Sequence, residues 1–136
     1  MDEQAIGQIG ALLEDYRLGF ATLDAERLKS IWDRDYAQIV YIAQELAQPV
    51  RGWNGVERYY HRVVDSLAKV AAMTLGDVAI DVFGDLAFAY CTFHFEGDVR
   101  GRPEPRIAEG RNTFLFRRTS LGWRVIHYHE SAPGPL

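Results

Sequence analysis

The second half of the chain constrains the fold most. From Thr74 onward it reads as long strand-like runs: "LGDVAIDVF", "LAFAYCTFHFEG", "RIAEGRNTFLFRR" and "GWRVIHYHES". Between them stand Gly84-Asp85, the Gly/Pro-dense stretch "GDVRGRPEPR", and a turn over Thr119-Ser120-Leu121-Gly122. These are hairpin signals. Side chains alternate across a strand, so each run yields two sets. Ala89, Cys91, Phe93 and Phe95 alternate with Phe88, Tyr90, Thr92, His94 and Glu96. Asn112, Phe114 and Phe116 alternate with Arg111, Thr113, Leu115 and Arg117, and Val125, His127 and His129 with Ile126, Tyr128 and Glu130. No run has the apolar-in, polar-out alternation of a sheet with one wet face. Both faces are therefore expected to be covered: one by helices, the other most economically by a second copy of the chain.

The first half supplies the helices. Ile6, Ile9, Leu13, Tyr16 and Phe20 recur at spacings of three and four, one apolar stripe on a helix of about 18 residues. Asp24 is placed to cap a shorter helix carrying Leu28, Ile31 and Trp32. "YAQIVYIAQ" reads as a strand, and Pro49, Gly52 and Gly55 mark the loop after it. Asn54 and Glu57 have the spacing of a capping box. The helix they would open shows Val56, Tyr60, Val63, Val64, Leu67 and Ala71 on one face and is expected to end near Ala72. Helices followed by strands, with no linker or repeat over 1–136, predict a single α+β domain with helices on one face of an antiparallel sheet.

Composition narrows the function classes. The net charge is −4, and the basic residues are scattered arginines with only Lys29 and Lys69 as lysines, which argues against a nucleic-acid partner. No segment approaches the ~18 apolar residues of a membrane span. The opening "MDEQAIGQIG" carries acids where a signal peptide carries positive charge, and a lone Cys91 permits no internal disulfide; both lead to the expectation of a cytoplasmic protein.

Two N-terminal helices, a strand, a helix opened by "GWNGVERYYHRVV", and long strands ending "GWRVIHYHESAP" resemble the nuclear transport factor 2-like superfamily. Within it the chain is similar to SnoaL-like proteins and to the association domain of calcium/calmodulin-dependent protein kinase. "FAYCTF", "FLFRR" and "GWRVIHYHES" carry the likeness. It implies a cystatin-like fold: a curved, cone-shaped antiparallel sheet wrapped around the N-terminal helices and enclosing a pocket. The kinase domain's pocket arginines correspond to Thr92, Thr113 and Glu130, so its carboxylate site is not carried over.

The same correspondence implies that Tyr90, Thr92, His94, Arg111, Thr113, Leu115, Ile126, Tyr128 and Glu130 face the cavity. Cys91, Phe93, Phe114, Phe116, His127 and His129 would then face out, with Phe93, Phe114, Phe116, His127 and His129 meeting a homodimer partner. On that arrangement a small organic ligand would touch Tyr90, Thr92, Arg111, Thr113 and Tyr128. Trp32, Tyr36, Tyr41 and Tyr60 would wall the cone. Glu130 and His94 are the candidate bases of a cofactor-free isomerase, cyclase or dehydratase, with Arg111 either ion-paired to Glu130 or holding the ligand. Plain ligand binding and homo-oligomeric assembly are the other readings. His127 and His129 share a face with Cys91 in this scheme, but no acid joins them, and they are expected to be structural rather than metal ligands. Ketosteroid isomerases resemble the chain in fold only. Their aspartate base has no counterpart on the expected cavity strands, which leaves Asp33 and Asp35 as the nearest acids.

Overall fold

The computed structural model describes residues 2–136. Helix α1 (Glu3–Ala21) opens where the Asp2 carboxylate accepts from the Ala5 N–H at 3.0 Å, satisfying one free amide of the first turn. Its buried side includes Ile9, Leu13, Tyr16 and Phe20, as the stripe predicts. Gly19 belongs to that side too: a Cβ there would lie 2.6 Å from the Leu28 side chain. The glycine weakens the isolated helix but lets α2 (Ala25–Ser30) pack directly against it. Asp24 caps α2 by accepting from Arg27 N–H at 3.1 Å.

The "YAQIVYIAQ" segment contributes only the short strand β1 (Val40–Ile42), followed by β2 (Val50–Arg51) and α3 (Gly52–Ser66). The expected Asn54/Glu57 capping box does not form. The helix begins three residues earlier, at Gly52, with no side-chain cap, and Glu57 instead accepts from the buried Lys29 ammonium at 3.1 Å. Nor does α3 run to Ala72. It stops at Ser66, and Leu67 starts the 17-residue strand β3 (Leu67–Phe83). "LAKVAAM" has good helix formers, but its backbone groups pair along β4 (Leu86–Val99), from Leu67 opposite Val99 to Phe83 opposite Leu86. A ladder this long outweighs the few tenths of a kcal/mol per residue at stake in local propensity.

Strands β5 (Arg106–Thr119) and β6 (Gly122–Ser131) complete a six-stranded sheet in the order β2-β1-β6-β5-β4-β3. Every pairing is antiparallel except β1 with β6, where Tyr41 lies beside Tyr128. The sheet's inner face packs on the helices.

The face assignment inferred from the kinase domain is inverted on two strands. Ala87, Ala89, Cys91 and Phe93 of β4, and Asn112, Phe114 and Phe116 of β5, are buried against the helices. Tyr90, Thr92, His94, Arg111, Thr113 and Leu115 are on the outer face, partly or largely exposed. Residues directly opposite in an antiparallel ladder share a face. Glu130 stands opposite Asn112 and Tyr128 opposite Phe114, rather than one residue along. On β6 the assignment holds for Tyr128 and Glu130, facing in, and for His127 and His129, facing out. A bulge makes this so: Leu115 pairs with His127 and Phe116 with Val125, leaving Ile126 as the extra residue. Val125 and Tyr128 consequently both point inward.

Candidate functional site

Between α1, α3 and the inner face of the sheet lies a cavity of about 300 Å³. Tyr16 and Phe20 of α1, Tyr41 of β1, Tyr59 of α3, and Phe93 and Phe95 of β4 give it an aromatic wall. The rings are locked against one another. Tyr41 stacks on Tyr128 with centroids 4.5 Å apart and planes 22° apart, and Tyr16 meets Phe114 edge-on at 5.0 Å. Close ring packing of this kind leaves that part of the wall little room to deform.

One carboxylate reaches this wall from the sheet. Glu130 is buried, and its Oε1 accepts from the Tyr128 hydroxyl at 2.5 Å while Oε2 accepts from the Gln44 backbone N–H at 3.1 Å. A phenol has a single proton. With that proton directed to Glu130, the Tyr128 oxygen must act as acceptor toward Tyr16 Oη at 2.8 Å and Asn112 Nδ2 at 3.1 Å. The Cys91 thiol in turn donates to Asn112 Oδ1 at 2.8 Å. Every donor in this buried chain, from Cys91 and from Tyr16, therefore points toward Glu130.

Burial sets the proton affinities. Loss of hydration pushes the Glu130 carboxyl above its ordinary value, opposed by the Tyr128 and Gln44 donors. Desolvation also drives the Tyr16, Tyr41 and Tyr128 phenols well above the usual tyrosine value, and pushes the Cys91 thiol up to about 12. Cys91 is thus an inert, neutral donor rather than a thiolate. Within this buried chain of donors Glu130 is the only carboxyl, and its proton affinity is raised while it stays hydrogen-bonded to a phenol and a backbone amide.

The structure brings together only part of the expected site. Tyr41 and Glu130 line the cavity, and Tyr128 stands behind them, stacked on Tyr41 and hydrogen-bonded to Glu130. Trp32 and Tyr60 are fully packed core residues, joined by an indole N–H to phenol hydrogen bond of 3.0 Å. Tyr36 lies beneath the Arg117 guanidinium, 4.8 Å from ring centroid to Cζ. Tyr90, Thr92 and Thr113 look outward, so the positions matched to the kinase pocket arginines are on both sides of the sheet. Arg111 is exposed and makes contacts to Ser131 Oγ and Ala132 O, each at 3.3 Å; it forms no ion pair with Glu130. His94 is also outside, held between Glu96 (3.0 Å from Nε2) and Glu109 on Nδ1, and these hydrogen bonds raise its pKa. It cannot reach the ligand volume that Glu130 faces.

The considered metal set is broken up as well, since Cys91 faces in while His127 and His129 face out. Asp33 is buried but lies outside the cavity, its Oδ2 2.5 Å from Arg117 Nε; Asp35 is exposed. Residues that sequence reading did not single out for the site are Tyr59, Asn112, Gln44, Glu45 and the arginines Arg62, Arg102 and Arg106. Asn112 carried a usable signal, as a lone amide among Phe114 and Phe116 on a strand face. The arginines carried none, because only folding brings α3 beside the β4–β5 turn.

The sequence matches the SnoaL-like domain family over residues 9–135. The chain belongs to that family. No curated protein matches this SnoaL-like chain. Among solved structures, it is similar to a Streptomyces avermitilis protein of the nuclear transport factor 2-like family, provisionally named a dehydratase. That pair has 20% identity and a TM-score of 0.84, covering 97% of this chain and 99% of the other. A provisionally assigned calcium/calmodulin-dependent protein kinase type II association domain from Thiobacillus denitrificans aligns at 18% identity and TM-score 0.75, over 92% and 94% of the two chains. A nuclear transport factor 2-like protein with a cystatin-like fold, from Novosphingobium aromaticivorans, aligns at 22% identity and TM-score 0.74, over 98% and 84%. At these identities the likeness establishes the cystatin-like, cone-shaped fold expected from the sequence. The SnoaL-like domain also has the aromatic, partly polar interior expected of it.

Proposed function

We propose that this SnoaL-like domain binds a small, largely planar organic molecule in its cavity and that Glu130 acts on it as a general base. The observation that carries this reading is the position of Glu130: a buried carboxylate on an aromatic wall, receiving a chain of donors rather than a cationic partner. A structural carboxylate at this depth would ordinarily be neutralised by an ion pair. Among the described residues none of the ion pairs within 4.0 Å involves Glu130. Each of its oxygens keeps a lone pair beyond the donor it already has. A proton taken from an acidic C–H of the ligand leaves Glu130 in the neutral form that burial favours, so uptake is eased by desolvation. This is the chemistry of a cofactor-free isomerase or dehydratase, and the name given to the Streptomyces avermitilis relative is in keeping with it.

We further propose a homodimer through the outer face, with different residues from those first expected. Leu115 and the half-buried Phe88, Tyr90 and His127 form a largely apolar strip there, with Phe83 stacked on Phe88 at its end, and among the described residues no helix packs over it. Phe93, Phe114 and Phe116 are core residues and take no part. A cytoplasmic setting is proposed on the free, buried Cys91 thiol; among the described residues no helix is long and apolar enough to cross a membrane.

A planar ketone with acidic α C–H bonds, 2-tetralone, tests the base without knowledge of the natural substrate. In D₂O the protein should accelerate exchange of those hydrogens for deuterium, followed by proton NMR. Glu130→Gln should remove the acceleration, a loss of roughly 10²–10⁴-fold for a single general base, while line broadening of the ligand shows that binding persists. No acceleration, or an equal rate in the variant, would overturn Glu130 as the base.

A further inference from the structure

The cavity has two ends of different chemistry. Its depth holds the buried Glu130, Tyr16 and Tyr41, whereas its mouth is edged by the exposed Arg62 from α3, Arg102 from the β4–β5 turn and Arg106 at the start of β5. A second hollow of about 330 Å³ beneath that turn shares Arg102 and Arg106 with the mouth. Acidic groups at this end are few and engaged. Glu45 accepts the Tyr59 hydroxyl at 2.5 Å and lies 3.7 Å from Arg106, and Glu104 borders only the outer hollow. Among the described residues, neither Arg62 nor Arg102 has a carboxylate within 4.0 Å. Arg62 lies instead over the Tyr59 ring, 5.7 Å from its centroid, at the edge of the aromatic wall.

In a chain of net charge −4, guanidinium groups from two separate elements converging on one opening form a local field opposite to that of the whole. Taking the cavity as a binding site, as the preceding reading does, we propose that its ligand is an amphipathic organic anion. The planar apolar body lies among Tyr16, Tyr41, Phe93 and Phe95, and the carboxylate sits at the mouth with Arg62, Arg102 and Arg106. The charges fix the direction of entry. A carboxylate driven to the bottom would lose its hydration beside the Glu130 carboxylate, whereas at the mouth it stays half-solvated and meets forked donors suited to its two oxygens. Docked this way round, the end of the molecule remote from its carboxylate is the end presented to Glu130. The volume, near the lower limit of the ~300–1,000 Å³ usual for small-molecule sites, suits one or two fused rings.

The test uses a matched pair, 2-naphthoate and its neutral analogue 2-naphthamide, titrated at low salt by calorimetry. The native protein should bind naphthoate roughly tenfold more tightly than naphthamide, and the preference should fade as salt is added. The triple variant Arg62→Gln/Arg102→Gln/Arg106→Gln, checked for fold by circular dichroism, should bring naphthoate down to the affinity of the amide and leave the amide unchanged. Equal affinities in the native protein would overturn the anionic ligand but leave the cavity a binding site. Naphthoate binding undiminished in the folded triple variant would overturn the arginine mouth. Failure of both probes to bind at millimolar concentration would overturn the binding-site reading itself.

Discussion

The two faces of the sheet each hold a titratable group in a polar cluster, and they differ in what water does to them. Inside, Glu130 is surrounded by donors, and its proton affinity rises because it has lost its hydration. Outside, His94 sits between acceptors, and its affinity rises because Glu96 and Glu109 hydrogen-bond to it. The direction of shift is the same and the cause is opposite. A group raised by desolvation is poised to react, since the protein has made its charged form expensive. One raised by solvated carboxylates is merely salt-bridged, and solvent and ions screen most of the effect. The proposed function places its chemistry on the inner face because of this contrast.

The sharpest way to break the comparison is a pair of substitutions at adjacent positions. Phe114→Ala empties a fully buried site between Tyr16 and Tyr128 and should cost about 3–5 kcal/mol. Leu115→Ala, at a side chain 38% exposed on the other face, should cost under about 1 kcal/mol in the monomer. Urea denaturation decides between them. Similar costs for the two would mean that the faces are not distinguished as described.

Tyr128→Phe should come next in size. It keeps the ring stack on Tyr41 but leaves Glu130, Asn112 and Tyr16 each short of a partner, at about 1–3 kcal/mol for the buried groups exposed to that loss. A neutral outcome would mean that water or a ligand replaces the hydroxyl.

A pH series on Glu130→Gln sharpens the electrostatic half of the contrast. The folded-state pKa of Glu130 is raised, so the folded protein binds its proton more tightly than the unfolded chain does. That stabilisation is complete below the unfolded value near 4.5 and is lost as pH climbs through the raised folded value. Wild type should therefore lose stability relative to the variant over that window in parallel denaturation curves; parallel, pH-independent curves would show Glu130 to be unshifted.

The smallest effect is expected from His94→Ala. His94 gains stability in the protonated form, present at low pH and lost as pH rises through its raised pKa, yet its side chain is 34% exposed and its partners are solvated. Tetralone exchange and naphthoate binding should be unchanged. A loss of either would return His94 to the list of site residues.

Much of this molecule could be read before its coordinates. The α1 stripe, the Asp24 cap, the turn at Gly84 and the last hairpin follow from periodicities and turn residues that act over a few positions. Glu130, Tyr128 and Tyr41 are singled out by the family resemblance, not by any local signal. Where local and distant forces disagree, local reading failed. "LAKVAAM" is a helix by propensity and a strand by pairing, and Glu57 is a capping residue by spacing but a lysine partner in space.

By itself, the sequence determined that each long strand has two sets of side chains and which residues belong to each set, because alternation is a property of the extended backbone. It could not determine which set faces the helices. A shift of one residue in the ladder reverses a whole strand, and the bulge at Ile126 reverses half of one; both depend on hydrogen bonds between segments far apart in the chain. The fold alone chose Cys91, Asn112 and Phe114 for the inside, because that register places the largest continuous apolar surface against α1 and leaves Arg111 and His94 in water, where their charges cost least.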